Sequence, residues 1–74
     1  MKHLTRQEKK CQKERRALMA ELDTATQALR ANEKAFQEAL DPFVIEKLTY
    51  QHAALRCRSR VLLRLLREED APCR

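Results

Sequence analysis

Few side chains in this 74-residue chain are able to act as nucleophiles, bases or metal ligands: His3, His52, Cys11, Cys57 and Cys73, beside eleven Asp and Glu. A zinc site needs His, Cys or carboxylates converging on one point, and a thiol nucleophile needs a base within hydrogen-bond reach. His52 and Cys57 are five residues apart, which on a helix aims them in different directions. His3 stands alone near the start, and Cys73 stands alone in the C-terminal tail. The carboxylates are spread along polar positions rather than gathered, and without glycine there is no phosphate-cradling loop. Neither catalysis, nor a metal site, nor a cofactor is expected. His52 reads as a core or edge residue and Cys57 as a small packing group.

The remaining chemistry is that of arginine. The stretch "RCRSRVLLRLLR", Arg56 to Arg67, alternates guanidinium groups with aliphatic residues. Arg56, Arg60 and Arg64 recur every four residues, with Arg67 following, so they share one flank of a helix; Arg58 falls on the other. Arginines in such positions bind phosphate or carboxylate, or else cover the edges of an apolar face with their stems. No aromatic residue interleaves them to stack bases, and no helix-turn-helix, zinc-finger or RNA-recognition signature is present. Sequence-specific nucleic-acid recognition is therefore not expected. Nonspecific binding, or docking of an acidic protein, stays open.

The elements that carry these groups are helical. Gly is absent, aromatics are limited to Phe36, Phe43 and Tyr50, and Ala, Leu, Glu, Lys, Arg and Gln dominate. Thr5 with Glu8 has the spacing of a capping box. Nothing then breaks the helix until Asp41-Pro42, since proline disfavours the helical conformation of the residue before it. Asp41 is also a good N-cap for a second helix with Pro42 at its first position. Leu40 and Ile45 have the spacing of a hydrophobic staple across that corner. The reading is a helix over about 5–40, a corner at 41–42, a helix over about 42–69, and a frayed tail over 70–74, ended by Pro72.

In the first helix, Leu18, Leu22, Ala25, Leu29, Asn32, Phe36 and Ala39 step by four and three residues, a heptad seam with Asn32 as its polar member. Glu8 and Arg15 interrupt the seam further upstream, so the first sixteen residues are expected to be solvated, frayed or dependent on a partner.

The second helix is apolar on two sides. At about 100° per residue, Val44, Ile45, Leu48, His52, Leu55, Ser59, Leu62, Leu63 and Leu66 share one face. Phe43, Tyr50, Ala54, Cys57, Val61 and Leu65 lie roughly opposite. One antiparallel neighbour covers only one of two such faces, so the other predicts self-association. The expectation is an all-α, coiled-coil-like antiparallel hairpin, with Leu22, Leu29, Phe36, Leu48, Leu55 and Leu62 as its internal core. It would dimerise through the Phe43–Leu65 stripe into a four-helix bundle of C2 symmetry.

Charge alternates along the chain: residues 1–16 carry net +5, 17–42 carry −3, 43–67 carry +5 and 68–74 carry −2. A hairpin folded about Asp41 pairs residues whose numbers sum to about 83, which sets Arg60 near Asp23 and Arg64 near Met19 and Glu21. The same fold brings Arg64 and Arg67 beside Arg15 and Arg16, so the open end becomes a basic pole extended by Lys9, Lys10 and Lys13; Arg15, Arg16, Arg56, Arg60, Arg64 and Arg67 are the candidate anion or nucleic-acid contact. The N-terminus has no apolar segment of a secretory signal, and no apolar run approaches the ~20 residues of a membrane span. An odd cysteine count without such a signal points to reduced thiols and a cytoplasmic location.

The stretch "AFQEALDPFVIEKLTYQHAALRCRSRVLLRLLRE", residues 35–68, resembles the YaaL-like family of small uncharacterised proteins of Gram-positive bacteria. The residues that carry the resemblance are Phe36, Asp41, Pro42, Ile45, Tyr50, Ala53, Ala54, Leu62 and Leu63. It covers about half of the chain and implies a small cytoplasmic helical protein; it assigns no site residues. Taken together, the residues predict a non-enzymatic helical interaction or adaptor module that self-associates. The rival reading is an accessory protein that binds nucleic acid nonspecifically through the basic pole.

Overall fold

The structure, a computed structural model, describes residues 4–70. It contains two helices, α1 (Arg6–Glu38) and α2 (Pro42–Asp70), packed against each other as a hairpin. The molecule measures 57 × 20 × 12 Å, a rod two helices wide. His3, Cys73 and the tail beyond residue 70 lie outside the described residues.

Each helix starts where its capping chemistry places it. The Glu8 amide donates to Thr5 Oγ1 at 3.1 Å, and Thr5 is extended, as an N-cap should be. The Phe43 amide donates to Asp41 Oδ1 at 2.9 Å, and the Ile45 amide to the Asp41 carbonyl at 3.0 Å. Asp41 thus satisfies donors that the first turn of α2 leaves open. The corner turns without any positive-φ residue among the described residues, which suits a chain that has no glycine.

The structure departs from the sequence expectations in several places. α1 stops at Glu38, two residues short of the expected end at about Leu40, because Ala39 is already extended (φ −76°, ψ 133°). That early exit points Leu40 outward, where it is 93% exposed, so the staple between Leu40 and Ile45 does not form. Residues from Arg6 onward are continuously helical, and up to Arg16 all but Cys11 and Arg15 are exposed. The pairing register also differs. Asn32 meets Leu48, Arg15 meets Leu66 and Glu21 meets Arg58, so facing residues sum to about 80 and not 83. The earlier end of α1 moves the corner back along the chain and shifts every pair with it.

The core is thin. Ala25, Leu48, Leu62 and Leu66 are buried, Leu62 most completely, and Leu18, Leu22, Leu29, Ile45 and Leu55 are half-buried. Phe36, expected in this core, is exposed. In the observed register it lies opposite Val44, in the first turn of α2, and no layer beyond the corner covers either side chain. Helix–helix burial of this kind supplies most of the stability of helices in water, about 25 cal/mol per Å² of apolar surface removed.

Candidate interaction surfaces

The core-facing side of α2 is fixed by Leu48, Leu55, Leu62 and Leu66. Rotating by about 100° per residue from these positions brings Phe43, Tyr50, Cys57 and Val61 to the back of α2, away from α1, and leaves Ala54 and Leu65 on its flank, where Ala54 lines a groove with Ala28 and Ala35 of α1 and Leu65 one with Ala17 and Leu18. All six are exposed, Phe43 by 81% and Tyr50 by 70%. Of the six residues expected at an intersubunit face, Phe43, Tyr50, Cys57 and Val61 thus share the back of α2, with Ala54 and Leu65 at its edge. From Phe43 to Leu65 they span about 33 Å, 22 steps of 1.5 Å each.

The two margins of the stripe differ in charge. One carries Glu46, Arg60 and Arg64, with Arg56 and Arg67 further round; the other carries Lys47, Gln51 and Arg58. Arg58 reaches back to α1, where its Nη2 lies 2.9 Å from Glu21 Oε2. Both partners are more than half exposed, so the contact fixes register more than it adds stability. This replaces the expected approach of Arg60 to Asp23 and of Arg64 to Glu21, as the shifted register requires.

At the open end of the hairpin, Arg15 and Arg16 of α1 share a level with Arg64 and Arg67 of α2. Arg15 is half-buried and its Nη1 donates to the Leu66 carbonyl at 3.4 Å, tying the two helices where the apolar seam of α1 has given out. Arg16, Arg56, Arg60, Arg64 and Arg67 are exposed. Exposed arginines thus stand on both helices at the open end of the hairpin.

One polar group inside the hairpin has a specific role. Asn32 is 6% exposed, and its Nδ2 donates to the Leu48 carbonyl at 3.2 Å. Its Oδ1 is buried without a donor, as is Ser59 Oγ on the core face of α2. A buried amide that bonds only at one position of the facing helix penalises slipped registers. His52, half-buried, lines a groove with Asn32, Phe36 and Thr49 rather than meeting Cys57. Among the described residues no group of His, Cys, Asp or Glu is arranged to hold a metal ion. None of their helices is long and apolar enough to cross a membrane. Cys57 is an exposed free thiol, whereas Cys11 is disulfide-bonded, which departs from the expectation that all thiols are reduced.

The sequence reading missed two features, the Asn32–Leu48 bond and an apolar tip. Leu40, Phe43, Val44 and Phe36 all stand exposed around the Asp-Pro corner. The run "FVI" after the proline was a visible signal for the tip. Nothing in the sequence showed that Leu40 would turn outward. Comparison of the chain with family models, with curated proteins and with solved structures found no match.

Proposed function

We propose that this chain is a small non-enzymatic interaction or adaptor module that works as a self-associated pair of hairpins. The observation that carries the reading is surface area. The chain exposes 6580 Å², whereas a compact protein of 8.7 kDa exposes about 4,700 Å². The excess, about 1,900 Å², is more than twice the ~800 Å² that one partner contributes to a standard interface. Part of it is apolar surface of α2, and a second copy laid on Phe43, Tyr50, Ala54, Cys57, Val61 and Leu65 would remove that part from water. A C2 pair of hairpins would then make a four-helix assembly. The proposal includes a cytoplasmic location and kinship with the YaaL-like proteins.

The test is Val61→Glu, which sets a charge in the middle of the stripe without touching the core. Light scattering on the variant should give the mass of one chain, with helicity retained; an unchanged mass would remove the stripe as the contact.

The basic pole supports a second reading, nonspecific binding of nucleic acid or of an acidic protein, because both helices contribute exposed arginines to it. Titration with DNA at two salt concentrations separates the two. Binding that falls steeply with salt and is lost on neutralising Arg15, Arg16, Arg56, Arg60, Arg64 and Arg67 would favour this reading.

A further inference from the structure

We infer that the second copy docks antiparallel along α2, centred on Ala54, with Glu46 of each copy lying between Arg60 and Arg64 of the other; this rests on the self-association proposed above.

On the side of α2 turned from its core face, Phe43, Tyr50, Ala54, Cys57 and Val61 keep the four- and three-residue spacing of a second coiled-coil seam, whose remaining positions fall on the marginal residues Lys47 and Arg64. Its large members stand towards the ends and its smallest, Ala54, at the middle. A two-fold axis at Ala54 pairs residues whose numbers sum to about 108. Phe43 then meets Leu65 of the second copy, Tyr50 comes within one position of Cys57, and the alanines allow the two helices close approach at the centre. Each bulky ring is set against a smaller side chain.

Charge selects this direction over the parallel one. Glu46 is the single acidic residue between positions 43 and 67. It shares its margin of the stripe with Arg60 and Arg64, and in an antiparallel helix pair like margins face each other. About an axis at Ala54, Glu46 comes level with Leu62 of the second copy, midway between Arg60 and Arg64. The carboxylate is therefore within reach of both guanidinium groups, twice by symmetry. A parallel pair instead brings opposite margins together. Arg60 and Arg64 would then face the Arg58 margin of the second copy, and the two basic poles would lie side by side. Antiparallel docking sets each basic pole beside the other copy's tip, where Glu33, Glu38, Asp41 and Glu46 outnumber Lys34 and Lys47. Like charges in register cost affinity and opposite charges fix orientation.

The experiment uses the full chain and cysteine mapping. Centred on Ala54, the two Cys57 residues are offset by six positions, about 9 Å, beyond the ~7 Å that a disulfide spans between Cα atoms. The variant Tyr50→Cys places a new thiol within one position of Cys57 of the second copy. Under glutathione exchange, tryptic mapping should find position 50 joined to position 57 in a covalent dimer that is lost when Cys57→Ser is added. In the unmodified chain no Cys57–Cys57 bridge should form. Independently, Glu46→Arg should weaken the dimer about tenfold by sedimentation, and adding Arg64→Glu should restore it. Three results would overturn the antiparallel arrangement while leaving self-association standing: a Cys57–Cys57 bridge, a bridge between the introduced thiols of the two copies, or a dimer indifferent to Glu46→Arg. A single-chain mass at every concentration would overturn both.

Discussion

Replacing Asn32 by leucine probes what the one buried amide does for the hairpin. Asn32 contributes one hydrogen bond, from Nδ2 to the Leu48 carbonyl, and leaves Oδ1 buried without a donor. The bond is worth about 1 kcal/mol net, while an unsatisfied buried acceptor costs about 1–3 kcal/mol. The Leu48 carbonyl sits inside α2 and keeps its own helical amide, so losing Nδ2 does not orphan it. Grooves open on both sides of Asn32, one lined by Phe36 and His52 and the other by Ala28, Ala35 and Ala54, and they give leucine room to settle. The balance favours Asn32→Leu by about 1–2 kcal/mol, which for a chain of this size raises Tm by about 4–8 °C per kcal/mol. Thermal unfolding followed by circular dichroism at fixed protein concentration reads the shift. Asn32→Asp, of nearly the same shape, should do the opposite, because it buries a carboxylate against the Leu48 carbonyl. An Asn32→Leu protein less stable than the parent by about 1 kcal/mol or more would refute the reasoning. It would mean that Oδ1 has a donor and that the amide is a net stabiliser.

Three further outcomes follow from the same geometry. Leu62→Ala removes the most completely buried side chain and should cost about 3 kcal/mol in urea unfolding, most of it the lost transfer free energy of the three carbons removed. Asp41→Ala frees the Phe43 amide from its cap and should cost about 1 kcal/mol, with faster hydrogen exchange confined to the first turn of α2. A double-mutant cycle on Glu21 and Arg58 should give a coupling of at most about 0.5 kcal/mol that fades with salt, since both side chains are largely exposed.

The two helices and their boundary were legible in the sequence because the signals are local. Thr5 and Asp41 are caps whose partners lie two or three residues away, and proline acts on the residue beside it. The two apolar stripes of α2 were legible for a related reason: periodicity at a fixed rotation per residue survives whatever the helix packs against. Register was not legible. It depends on where α1 ends, and α1 ends at Glu38 because of the conformation of Ala39, a residue whose type carries no stop signal. That shift decided which arginine reached Glu21 and put Phe36 at the uncovered edge. Asn32 could be recognised as a polar intruder in an apolar seam, but its acceptor, a backbone carbonyl, leaves no mark in the sequence. For the candidate contact, the six stripe residues were legible as a group. The facing of Glu46 and Arg64 of two copies became arguable only once α1 was seen to occupy the opposite side of α2.

Self-association requires the back of α2 to be covered in solution, and the molecular mass of the unmodified chain tests that most directly. Sedimentation equilibrium across a broad concentration range should give about 17 kDa, twice the 8.7 kDa of one chain, with dissociation only on dilution. A folded, helical species that stays at 8.7 kDa at the highest concentration reached would contradict it.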